Sequence, residues 1–93
     1  MSTYVGLDGH CKNSVFVIQD DSGRVIGEGA VPTSPDGFRH MMERHHLERG
    51  TVVALESGTM AVYIARCLAE LGLRPRVIDA REVRVKASRP FQK

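Results

Sequence analysis

Cysteine is scarce in this chain. Its 93 residues include two, Cys11 and Cys67, too few for a disulfide framework and at a spacing that matches no zinc motif. Long apolar runs are also missing. The longest, Met60 to Ala65, is six residues, far short of the about 20 that a membrane-spanning helix needs. No basic n-region leads into an apolar stretch at the N-terminus, which goes directly into a strand pattern, so no signal peptide is expected. There is no internal repeat, low-complexity segment or interdomain linker. These absences point to a cytoplasmic protein with reduced thiols and no membrane partner.

What remains is ordinary for a globular protein: 42% hydrophobic and 26% charged residues, in a length that fits one small domain over 1–93. Net charge is +2, which by itself says little about partners. The excess sits at the C-terminal end, where Arg81, Arg84, Lys86, Arg89 and Lys93 accompany one acid, Glu82. Such a basic stretch could contact phosphates or form a solvated face.

The apolar pattern predicts strands over 3–8, 14–20 and 24–31, the first pair followed by the turn "DDSG" with Gly23 at positive φ. The continuous run Val15 to Ile18 reads as a strand covered on both faces. "TSPDGF" starts a helix, with Ser34 as N-cap and Pro35 at N1. Phe38, Met41, Met42 and His45 share its inner face, and Gly50 closes the unit. Residues 51–56 form an apolar strand. "SGT" then turns into a helix with Met60, Tyr63, Ile64, Cys67, Leu68 and Leu71 on one stripe and Gly72 just past its end. "RPRVIDA" reads as a fifth strand, and 81–87 as the start of another helix. The order β-β-β-α-β-α-β predicts an α/β fold with a mixed sheet, the first, fourth and fifth strands parallel through its centre.

Two apolar strands end on carboxylates, Asp8 and Glu56. Ligands of sheets with parallel neighbours bind outside the carboxyl ends of the strands. If strands one and four are parallel neighbours, the two acids meet there, and their repulsion is relieved by a hard divalent cation such as Mg²⁺ or Mn²⁺. Taken singly, either acid can equally be a solvated strand-end residue.

"YVGLDGHCKNSVFVIQDDSGRV", "VVALESGTMAVYIARCLAELG" and "RPRVIDAREVRVKA" resemble the N-terminal part of the IS110-type transposases, also called DEDD transposases, whose catalytic domain is similar to the RuvC resolvase. The resemblance implies a ribonuclease H-like (RuvC-like) fold and a metal-dependent DNA recombinase directed by a structured guide RNA, with DNA and RNA as partners. It matches Asp8 and Glu56 to the first two of four catalytic, metal-binding acids. It implies that the other two belong to a "K-T-D-x-x-D-A" block whose opening lysine matches Lys93, so the expectation is a truncated domain. Two-metal chemistry needs ions about 4 Å apart held by enough carboxylates. A piece with two acids is therefore expected to be inactive and to bind Mg²⁺ weakly. The chain departs from the family at Gly9, where an aliphatic residue is usual. Asp79 is read as a strand-end cap.

His10 and Lys12 follow Asp8 closely. His40, His45 and His46 resemble a metal cluster only in composition, because adjacent histidines point to different sides of a helix. Cys67 lies on the packed stripe and is expected to be inert. Phe91 suits either stacking on a base or packing in a core. Two alternatives stay open: the N-terminal half of an actin-like sugar kinase or ATPase, which shares the element order and the strand-end Asp, and a non-catalytic module that binds nucleic acid or forms a homodimer.

Overall fold

The computed structural model describes residues 2–79. Its elements follow the expected order: β1 (Thr3–Gly9), β2 (Asn13–Asp20), β3 (Val25–Pro32), α1 (Pro35–Arg44), β4 (Val52–Glu56), α2 (Ala61–Glu70) and β5 (Arg74–Ile78). The five strands form one mixed sheet in the order β3-β2-β1-β4-β5. β1–β2 and β2–β3 pair antiparallel, while β1–β4 and β4–β5 pair parallel. β5 is thus an edge strand and not part of the sheet centre as expected. The fold is mixed α/β, with two helices and a five-stranded sheet.

Both helices contribute to one core against one face of the sheet. Val5, Leu7, Phe16, Ile18, Val53 and Leu55 from the strands pack with Phe38 and Met41 of α1 and Ile64, Cys67 and Leu68 of α2. β2 therefore alternates instead of being covered on both faces: Phe16 and Ile18 are buried, whereas Val15 is 49% exposed. Among the described residues nothing packs on the opposite face, and that accounts for the difference.

α1 begins as its sequence predicts. The Ser34 side chain accepts a hydrogen bond from the Gly37 amide at 3.0 Å, Pro35 occupies the first turn, and Asp36 supplies a negative charge there. A Cβ on Gly37 would run into the Pro32 carbonyl; glycine is what lets the helix start this close to β3. The helix ends earlier than Gly50. His46, at φ 54°, turns the chain while the Leu47 amide bonds Met42 O at 2.9 Å and the His46 amide bonds Glu43 O at 3.3 Å. The His45 ring lies edge-on to Phe16, with centroids 5.3 Å apart. His45 and His46 therefore have structural places at the end of α1.

α2 ends by the same motif with the expected glycine. Gly72 has φ 90°, the Leu73 amide bonds Leu68 O, and the Gly72 amide bonds Ala69 O, both at 3.0 Å. Cys67 is buried on this helix. Tyr63 donates to it, and that bond, with some desolvation, holds the phenol above its ordinary pKa. No helix of the described residues is long and apolar enough to cross a membrane.

Candidate functional site

β1 and β4 are adjacent and parallel, with Leu7 opposite Leu55 in register. Asp8 and Glu56 are one residue further along each strand, so they emerge on neighbouring strands, about 4.8 Å apart in backbone, at the same rim. Both border the same two cavities. One, of about 490 Å³, lies between the β1–β2 turn and the start of α2, with His10, Cys11, Ser57, Thr59 and Met60 also around it. The other, of about 400 Å³, opens on the uncovered face of the sheet beside Gly6, Val15, Val17, Ala54 and Ile78. The two predicted acids are brought together at the C-terminal edge of the parallel pair.

The β1–β2 turn is fastened from behind. Thr33 donates its hydroxyl to His10 O at 2.6 Å. Its single proton being so used, Ser14 must donate to Thr33 Oγ1, 2.8 Å away. The Thr33 amide bonds Lys12 O at 2.9 Å, and the His10 amide bonds Asn13 O at 3.1 Å. Ser14 is completely buried, and its hydroxyl is satisfied within this chain of bonds. Asp8 Oδ2 lies 3.2 Å from His10 Nε2. The two side chains are 70% and 67% exposed respectively, so the pair orients Asp8 more than it stabilises the fold.

On the same cavity, α2 starts without a side-chain cap: the Met60 side chain at the N-cap position makes no capping bond, while the Ala61 amide bonds Gly58 O at 3.1 Å. The first amides of a helix carry partial positive charge and favour anions. Ser57, Gly58 and Thr59 complete this wall. The sequence marks them as a turn and nothing more; their position between a strand-end acid and a helix start is the signal that singles them out. Gly9 has a packing reason. A Cβ there would meet Ile64 Cδ1, so a larger residue would require the end of the Ile64 side chain to shift.

A divalent cation is compatible with these donors in one mode. Among the described residues no group of three or more His, Cys, Asp or Glu is arranged to hold a metal, so a dedicated all-protein cage is excluded there. Mg²⁺, however, is commonly held by one or two carboxylates, waters and substrate phosphates, and exposed Asp8 and Glu56 beside an anion-favouring helix start suit that arrangement. Arg81, Arg84, Lys86, Arg89 and Lys93, the residues expected to contact nucleic acid, lie outside the described residues, as do Phe91 and the helix expected over 81–87. Asp79 directly follows β5.

No family model matches the chain, and no curated protein matches it. Among solved structures it is similar to the type II variant of the Aquifex aeolicus Ppx/GppA phosphatase, at 14% identity over 86% of this chain and 36% of that one, with TM-score 0.49. It is also similar to the Aquifex aeolicus member of the Ppx/GppA protein family, at 14% identity over 87% of this chain and 36% of that one, with TM-score 0.47. The chain thus spans about a third of the length of each. These neighbours are not transposases, and no comparison supports transposition or RNA-guided recombination. The resemblance to the DEDD transposases is therefore set aside.

Proposed function

We propose that the rim carrying Asp8 and Glu56 is one half of a phosphoryl-transfer site, in a part-length domain of the actin-like kinase and ATPase type. The observation that carries this reading is that Asp8 and Glu56, on neighbouring strand ends, border the same cavity as the start of α2. The element order, with its strand-end Asp, supports a ribonuclease H-like core of the kind that actin-like enzymes share. A phosphate-bearing substrate would lie against the first amides of α2, with Ser57 and Thr59 hydroxyls within the same wall. Asp8 and Glu56 would hold a divalent cation together with the substrate's oxygens, and that cation would supply charge neutralisation. His10 orients Asp8, and the Thr33 bonds keep the turn that bears His10 in place. Such a protein would work in the cytoplasm with Cys11 and Cys67 reduced.

The test is calorimetric titration of the whole chain with ATP and with pyrophosphate, each with and without Mg²⁺. Binding should require Mg²⁺ and weaken about tenfold or more in Asp8→Asn and Glu56→Gln, as expected for loss of a charge-assisted ligand. Metal-independent binding, or binding indifferent to both substitutions, would refute the reading.

A further inference from the structure

The uncovered face of the sheet is apolar in its middle. Tyr4 and Gly6 of β1, Val15 and Val17 of β2, and Val52 and Ala54 of β4 point there, with Tyr4 47% and Val15 49% exposed. Nothing lies within 4 Å of where a Cβ on Gly6 would stand, and the face sinks there into the cavity of about 400 Å³. A contiguous apolar face of this kind marks an interaction surface. The β5 edge is less suited to pairing, because it carries Pro75.

Charge complementarity identifies the occupant. The register places Glu28, Val17, Gly6, Ala54 and Arg76 in a single row across the sheet. The acid stands on one edge strand, the base on the other, and both are exposed. We propose that this face docks a second copy of the chain about a two-fold axis running close to β1. That rotation lays β3 of one copy over β5 of the other, so Glu28 faces the partner's Arg76, twice by symmetry, and Gly6 faces its own equivalent at the axis. An axis across the strands would instead stack β5 on β5 and set Arg76 against itself, which like-charge repulsion disfavours. The usual inclination of about 30° between aligned sheets is accommodated by tilting the axis slightly from β1.

The face measures about 20 by 20 Å from strand spacing and rise, small for a specific interface. The dimer is therefore weak and concentration-dependent. The same rotation brings the two acidic rims alongside at one end, and their repulsion opposes docking.

Sedimentation velocity on the whole chain, from about 10 µM to about 1 mM, tests the proposal. A concentration-dependent dimer is expected. Glu28→Arg and Arg76→Glu should each weaken it about tenfold or more, the double reversal should restore it to within about threefold, and Asp8→Asn should tighten it. Circular dichroism of each variant checks the fold, which these exposed positions should leave intact. A chain that stays monomeric throughout, as it would if residues 80–93 or a different protein covered the face, overturns the proposal. So does a dimer indifferent to the reversals, or one that the double reversal fails to rescue.

Discussion

His46 sits at the position after α1 where helices most often place glycine, with φ 54°. Gly72 fills the equivalent position after α2 at φ 90°, and the two ends have the same pair of backbone bonds and a buried leucine beyond, Leu47 and Leu73. The left-handed conformation costs an L-residue with a Cβ about 1–2 kcal/mol. His46→Gly should accordingly stabilise the chain by about 1 kcal/mol, after its greater unfolded-state entropy is deducted, seen as a higher urea midpoint at unchanged slope. Ser34 and Gly72 declared their roles by residue type. His46 did not, because its place is set by where the α1 stripe meets the core and not by any preference of histidine.

At the scale of elements, the β2–β3 hairpin depends on Asp20. Its carboxylate accepts from the Ser22 hydroxyl at 2.6 Å, the Ser22 amide at 2.9 Å and the Arg24 amide at 3.0 Å. The Ser22 hydroxyl, then the Arg24 amide, hold its pKa below the ordinary 3.8. A carboxylate with a depressed native pKa stabilises above its unfolded pKa, and that contribution is lost as pH falls through the native value. Asp20→Asn should therefore be less stable than wild type at pH 7, with the gap closing as pH drops below 3.8, followed by thermal melts across an acid series. The "DDSG" turn was legible because its residues have local hydrogen-bonding preferences. The burial of β2 was not. A continuous apolar run is equally consistent with one covered face or two, and only the placement of both helices on one side decides it.

For the whole molecule, the described site is joined to the sheet through Thr33, which links the end of β3 to the β1–β2 turn. Thr33→Val keeps the shape but removes the donor to His10 O and the acceptor for buried Ser14. A cost of about 2 kcal/mol is expected from the orphaned groups, measured by chemical denaturation. Pairing between hydroxyls 19 positions apart leaves no trace in periodicity, so this fastening could not be read from sequence. The meeting of Asp8 and Glu56 could, since both close apolar strands and the element order makes those strands parallel neighbours. The family resemblance misled because short blocks with the same strand and helix pattern arise wherever this element order does.

The β1–β4 ladder joins positions 48 apart in sequence, Tyr4 with Val52 through Leu7 with Leu55, whereas both hairpins close locally. Long-range pairing bears its loop-closure entropy before any contact repays it, so the meander can zip early and the central parallel seam must close late. The two rim acids consequently have no shared surroundings until the last stage of chain assembly, and pulse-labelled amides of β4 should gain protection after those of β2.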